Sequence, residues 1–419
     1  MNQSPIVILI EFLALETANL LTKYKIIIRL KQLEKRLATV CRILWTGGVA
    51  LVAIEQQKAL LNIGHEPDLF FLRDAGSLYE IPERTRILHR EKEGKSILRK
   101  ILINITKKFA GHRGEGATVD LDYIFEARKI LRDYDQIIFH DQWSAVLGLY
   151  YRIRGVKYAI QLHEFFRLPP GMKKLSLPAL LAWFYDVVSI MLAPAIITTS
   201  QYNYNIVSKF NKNTFLIRIG FPKPTLSEFN KGKFTATRKV VLSLTLWDKG
   251  RNANFYADLA KMFPECDFIV AGSWTIKEEM FAFMEKNKGI RNLNVTGRID
   301  EREKTRLLLT SHFYIRFGYN ERGPGMGALE AMSYGLIPFA NEGIGLSELI
   351  DNRTNGFLIT EPLLDETVCA LKYALKLSPK VLEEMAARNL DLCNIYSWEN
   401  NAKMLMGVFD KISNSNTLQ

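Results

Sequence analysis

The run Phe317-Gly-Tyr-Asn-Glu-Arg-Gly-Pro-Gly-Met-Gly-Ala-Leu-Glu-Ala-Met-Ser-Tyr-Gly335 carries the most chemistry in the sequence. Gly318, Gly323, Gly325 and Gly327, with Pro324, separate the strand-like Phe313 to Phe317 from a short helix that holds Glu330. The first N–H groups of a helix have no partner within it, and the dipole adds a partial positive charge. A glycine-rich loop feeding such a start therefore suits an anion such as a diphosphate. Pro324 is predicted at the first helical position and Gly335 as a left-handed C-terminal cap. A strand, Leu336 to Ala340, follows, then a second glycine turn with Gly343, Gly345 and Glu348. Ligands of such strand-loop-helix units lie beyond the carboxyl ends of the strands.

Other residues offer chemistry at strand ends. Lys249, in the turn Trp247-Asp-Lys-Gly250, can meet a phosphate or can be an ordinary solvated lysine. His163 stands beside Glu164 and His140 beside Asp141, each after an apolar strand, as cleft residues or as satisfied core histidines. Glu330 near a helix start favours the dipole whether or not it also binds a ligand. Gly47 and Gly48 let a strand turn into a helix, and Asp120-Leu-Asp122 reads as a helix start. No His, Cys or carboxylate cluster has metal-ligand spacing.

The elements that must hold these residues alternate strand and helix. Arg42 to Trp45 reads as a strand, Ala50 to Asn62 as a helix, and Gln136–Phe139, Tyr158–Leu162, Ala195–Thr198 and Phe215–Arg218 as further strands. Pro222 to Phe234 is linker-like. A second set begins at Val240 to Leu246 and continues through Asp267–Val270, Asn292–Val295, Phe313–Arg316 and Ile337–Ala340 to a helix over Glu399–Ile412. With 419 residues, 48% apolar and 24% charged, two globular domains are expected. The predicted division is residues 1–40, an apolar and basic extension; 41–222, the first domain; 223–238, a linker; 239–396, the second domain; and 397–419, a closing helix and tail. The net charge of +12 asks for an anionic partner, and no nucleic-acid motif is present. The four scattered cysteines suit a reducing compartment.

Taken in order, these residues resemble retaining GT-B glycosyltransferases of the family-4 type, over roughly Arg42 to Ile412. Glu330-Ala331-Met332 and Gly335 match the second half of that family's donor motif, whose first carboxylate falls at Arg322, with Glu321 displaced by one. Gly64-His65, His140-Asp141, His163-Glu164, Thr199-Ser200-Gln201, Ile219-Gly220-Phe221, Ala271-Gly272-Ser273, Val295-Thr-Gly-Arg298 and Ser397-Trp398-Glu399 are similar to further family turns. The family usually carries an arginine five residues before Lys249, where this chain has Leu244. Arg251 or Arg322 would then share the diphosphate with Lys249.

The resemblance implies an α/β GT-B fold: two Rossmann-like doubly wound domains facing across a cleft, with a C-terminal helix crossing back to the first. It implies metal-free and cofactor-free transfer of a hexose from a nucleotide diphosphate sugar, with retention. His163, Lys249 and Glu330 would be catalytic. Gly47, Gly48, Gly272, Arg298, Glu321, Arg322, Gly323, Gly325, Met326 and Gly327 would bind the donor. Two segments point to a lipid-linked or membrane-surface acceptor, and so to a cytoplasmic protein with peripheral membrane contact. Arg84 to Arg113 holds ten Lys or Arg among apolar residues, and reads as a basic amphipathic helix or a solvated one. Leu175 to Leu192 is almost wholly apolar, a buried or membrane-dipping helix. Residues 5–21 are apolar but interrupted by charge, a poor spanning helix without a signal-peptide cleavage pattern. Leu244 and Arg322 favour the alternative, a catalytically weak GT-B scaffold or partner subunit. A nucleotide-sugar epimerase on the same fold is the third reading, disfavoured by the lysine turn and the final helix.

Overall fold

The computed structural model describes residues 35–45, 47–77, 79–88, 127–141, 145, 148–163, 177–222, 231–318, 323–361 and 363–414. The first domain comprises β1 (Leu37–Leu44), α1 (Gly48–Asn62), β2 (Asp68–Asp74), β3 (Thr85–Ile87), β4 (Gln136–Phe139), α2 (Gly148–Ile153), β5 (Lys157–Leu162), α3 (Leu177–Leu192), β6 (Ala195–Thr198), α4 (Gln201–Val207) and β7 (Thr214–Leu216). These strands form one parallel sheet in the order β3-β2-β1-β4-β5-β6-β7. Runs such as Gln136–Phe139 and Ala195–Thr198 are buried throughout, as parallel strands covered on both faces must be.

The second domain comprises β8 (Val240–Leu244), α5 (Ala253–Met262), β9 (Asp267–Ala271), α6 (Lys277–Asn287), β10 (Leu293–Gly297), α7 (Glu301–Thr310), β11 (Phe313–Arg316), α8 (Met326–Ser333), β12 (Ile337–Asn341), β13 (Phe357–Ile359), α9 (Leu364–Lys376) and α10 (Pro379–Ile395). Its parallel sheet runs β10-β9-β8-β11-β12-β13. Helix α11 (Trp398–Asn414) closes the chain. In each sheet the strand order reverses once, between β1 and β4 and between β8 and β11. Loops diverge at such points and leave a crevice at the carboxyl ends of the strands.

Helix α11 returns to the first domain. Asn401 accepts from Gln56 Nε2 at 2.9 Å, and the same amide nitrogen donates to Gln161 at 3.0 Å. Asn401 Nδ2 in turn donates to the Arg218 carbonyl at 2.7 Å. Trp398 lies flat on Gly220, where a Cβ would come within 2.4 Å of the indole.

A second tie uses Glu348, in the 3-10 turn Gly345–Leu349 of the second domain. Its carboxylate accepts the N–H groups of Gln201 (2.7 Å) and Tyr202 (3.0 Å) at the start of α4, and pairs with Arg218 at 2.7 Å. Both side chains of the pair are less than a fifth exposed. Glu348→Ala strips three charge-assisted bonds and strands Arg218, so a loss of about 2–3 kcal/mol is expected, read as a lower Tm. A Tm unchanged from wild type would mean that the tie contributes nothing.

Several expectations need correction. Strand β1 starts at Leu37, not Arg42, so it reaches into residues assigned to the extension. Helix α8 starts at Met326 with Gly325 as its N-cap at φ +77°, so Pro324 precedes the helix. Gly335 does end it with φ +70°, and Leu336 N–H bonds the Ala331 carbonyl as in a Schellman turn. Of the basic stretch 84–113, Thr85–Ile87 is an edge strand and not the start of a helix. The rest of that stretch, and Asp120 with Asp122, lie outside the described residues.

Candidate functional site

The second domain gathers a cradle at the carboxyl ends of β8, β9 and β11. Gly272, just after β9, has φ +116°, and a Cβ there would stand 2.0 Å from the Thr245 carbonyl oxygen just beyond β8. Its N–H bonds the Gly297 carbonyl at 2.8 Å, which draws in the turn that carries the exposed Arg298. Across the switch point, Gly327 rests on the Leu244 carbonyl, 2.8 Å from where its Cβ would be. Tyr314 donates to the same carbonyl at 2.7 Å. Gly325 turns the chain into α8 directly over Arg316, and a Cβ on it would come within 2.6 Å of the guanidinium carbon. The missing side chains at 327 and 325 let the start of α8 approach the ends of β8 and β11. A Cβ on Gly323 would meet none of the described residues, and Met326 is half-buried as the first helical residue.

Asp248 caps the 3-10 turn Lys249–Arg251 by accepting the Gly250 N–H at 2.9 Å. That turn places the Lys249 backbone beside the cradle. The Lys249 side chain, like Glu321 and Arg322, lies outside what is described. Arg251 donates to the Thr245 hydroxyl and the Leu246 carbonyl.

Glu330 projects from the second turn of α8 to an ion pair that sequence reasoning missed, 2.9 Å from Lys304 of α7. Lys304 also meets Glu301 at 2.7 Å. Burial raises the Glu330 carboxyl above its ordinary range, against the pull of Lys304, with Glu301 and Glu55 adding to the rise. Burial works against the Lys304 ammonium, but Glu330 and Glu301 outweigh it and hold the amine charged. Lys304, Glu301 and Glu330 are all felt by the half-buried Tyr79 of the first domain.

In the first domain, His140 and His163 come together at the ends of β4 and β5. Their rings stack at 5.5 Å, and His140 Nδ1 lies 3.2 Å from His163 Nε2, so one donates and the other accepts. Burial lowers the His163 pKa to about 4. Burial and then His163 lower that of His140 still more clearly. Both are neutral near pH 7. Asp141 follows at φ +155°, a strained backbone, with its carboxylate 3.8 Å from Arg42 of β1. Gly47 lies under the Trp45 ring, where a Cβ would clash at 2.4 Å, and Gly48 opens α1.

A third histidine, His312, accepts the Val240 N–H at Nδ1, so its Nε2 donates to the Lys233 carbonyl. Burial lowers its pKa to about 4 as well. All three values lie below the ordinary 6.5, so between about 4 and 6.5 the unfolded chain binds more protons. Their contribution to stability is complete above about 6.5 and is lost as the pH falls towards 4. The Tm is expected to fall steeply over that window, and His312→Asn should flatten the slope. A flat profile in wild type would refute the neutral burial of these rings.

Among the described residues, no group of three His, Cys, Asp or Glu could hold a metal ion, and no helix is long and apolar enough to cross a membrane. Two parallel-sheet domains, a glycine-lined loop cluster at the second switch point and a histidine pair at the strand ends of the first domain fit a GT-B glycosyltransferase. The family description "Glycosyltransferase Family 4" matches residues 46–216, and "Glycosyl transferases group 1" matches residues 230–389. The chain belongs to these group 1, family-4 type enzymes. Similar solved structures include sucrose-phosphate synthase from Thermosynechococcus elongatus, with TM-score 0.70 and 15% identity over 91% of this chain and 100% of that one. Anabaena Alr3699/HepE, solved with UDP and glucose, has TM-score 0.67 and 14% identity over 90% and 100%. WaaG, a glycosyltransferase of lipopolysaccharide biosynthesis, has TM-score 0.63 and 11% identity over 88% and 98%. No curated protein sequence matches the chain.

Proposed function

We propose that this chain transfers a hexose from a nucleotide diphosphate sugar to the hydroxyl of a lipid-linked acceptor at a membrane surface, with retention. The observation that carries the reading is the glycine cradle at the start of α8, with Glu330 held one turn further on by Lys304. The diphosphate would lie on the first N–H groups of α8, with Lys249 beside it, and Glu330 would accept from the nucleotide ribose. The bond from the sugar C1 to the β-phosphate oxygen breaks while the acceptor oxygen joins C1 on the same face. The acceptor proton passes to the departing phosphate oxygen. Stabilising the charge on that leaving group is then the main contribution of the protein. His163, being neutral, would hydrogen-bond the sugar without protonating it. The cleft between the domains would exclude water from the reacting sugar.

The acceptor side of the reading draws on α3 and α2. Phe184 (60% exposed) and Met191 (55%) are seven residues apart and so share one side of α3, and Ile153 (78%) lies at the end of α2. Arg152 joins the two helices by donating to the Leu192 carbonyl at 2.7 Å, and Arg154 is exposed beside it. Apolar tips among arginines suit an anionic lipid surface, as a cytoplasmic membrane face offers.

The donor half is tested by a thermal-shift screen of UDP, GDP, ADP and their sugars on wild type, Glu330→Ala and Lys249→Ala. A ligand at a hundred times its Kd stabilises by about 2.7 kcal/mol. A selective shift lost in both variants, followed by transfer to a membrane lipid extract, supports the reading. A folded protein that answers no donor moves the conclusion to the scaffold reading, which Leu244 and Arg322 favour. The membrane half is tested separately by flotation with phosphatidylcholine vesicles, with and without phosphatidylglycerol. Flotation only with the anionic lipid, lost in Phe184→Ser/Met191→Ser, is expected, and no flotation removes the membrane part alone.

A further inference from the structure

We propose that Arg316 supplies a positive charge to the donor diphosphate from beneath the glycine loop, an assignment that rests on the donor-site reading above. Two negative phosphates at a helix start need more compensation than partial dipole charges give. At the end of β8 the position five residues before Lys249 holds Leu244, which brings no charge. The neighbouring strand makes up the difference. Strand β11 pairs with β8 in parallel register, Phe313 with Val241 and Tyr314 with Leu242. Continued two residues further, that register sets Arg316 beside Leu244, and aligned residues of parallel strands project to the same face.

The backbone of the loop confirms where the guanidinium goes. Gly325 has φ +77°, and a Cβ there would lie 2.6 Å from the Arg316 Cζ, 2.7 Å from Nε and 2.8 Å from Nη2. The absence of a side chain at Gly325, together with its positive φ, lets the loop close directly over the arginine without displacing it. The guanidinium therefore stands at the N-cap of α8, next to the residues whose N–H groups open that helix. Burial raises the pKa of the Tyr256 and Tyr314 hydroxyls, and Arg316 and Arg251 both act against that rise, so both cations lie within electrostatic reach of the ends of β8 and β11. Arg251 donates to Thr245 and Leu246, while the Arg316 guanidinium lies directly under Gly325 of the cradle.

The test uses the full chain and isothermal titration with UDP, GDP, ADP and the matching monophosphates. Variants are Arg316→Gln and Arg316→Gln/Leu244→Arg, with Tm confirming that each is folded. Arg316→Gln is expected to weaken the preferred diphosphate about ten- to a hundredfold, the scale of one charge-assisted contact, and its monophosphate far less. Restoring an arginine on the adjacent strand should recover at least part of that loss. A merely structural prop under Gly325 would weaken mono- and diphosphate alike and gain nothing from Leu244→Arg, and either result overturns the proposal. Full diphosphate affinity in Arg316→Gln overturns it too, while leaving the donor site standing. Wild type that binds none of the nucleotides overturns the donor site and this assignment together.

Discussion

Glu330→Ala is expected to lower kcat/KM for the donor by about 100-fold or more, the scale of losing a charge-assisted contact to the ligand in a buried site. The fold should survive it. Lys304 keeps Glu301 at 2.7 Å, so its ammonium is not stranded when Glu330 goes. A modest fall in stability, on the order of 1 kcal/mol, should accompany the large loss of activity. Glu330→Gln, which keeps the shape and one acceptor, should fall between the two. The check is steady-state kinetics with donor varied, beside thermal melts of the same preparations. Activity that drops only in step with stability would reduce Glu330 to a partner of Lys304.

Gly272→Ala should have the largest effect on stability. An alanine there would bring its Cβ to 2.0 Å from the Thr245 carbonyl oxygen at φ +116°. Backbone strain of that kind costs about 1–3 kcal/mol, and here a backbone oxygen must move as well, so about 4 kcal/mol or more is expected. The ends of β8 and β9 would have to separate, which also spoils the cradle for nucleotide. Gly323→Ala is the control, since nothing lies within 4 Å of its Cβ position and its φ is not positive. Similar melting temperatures for the two variants would refute the close approach at Gly272.

The sequence made legible those elements whose residues are locally unambiguous. Gln136–Phe139, Ala195–Thr198 and Phe313–Arg316 are short apolar runs bounded by turn or polar residues, and their predicted limits match. Strand β3, Thr-Arg-Ile, was invisible because an edge strand needs little apolar surface. Strand β1 was cut short because Leu37 follows a charged stretch that shows no break before it. At the site, Gly272 and Gly325 were legible as turn residues, and their positive φ accounts for the residue type. The partners of the functional groups were not. Lys304 reaches Glu330 from another helix, and Arg316 reaches Gly325 only through the register of two strands and a left-handed turn. Contacts of that kind are set by tertiary packing and leave no local pattern. Lys249 can be followed only to its backbone, while Glu321 and Arg322 fall outside the described residues.

The return of α11 to the first domain has a consequence for synthesis. Gln56 finds its acceptor Asn401 only 345 residues later. At about 5–20 residues per second, the first sheet leaves the ribosome tens of seconds before its last covering helix exists. Gly220 and the apolar flank of α1 stay bare for that interval, open to a chaperone or to another nascent chain. Ribosome-bound chains stalled before Trp398 should be more protease-sensitive at α1 than chains stalled well after Asn414 in a fusion. Equal sensitivity would mean that the first domain completes itself without the helix that finally seals it.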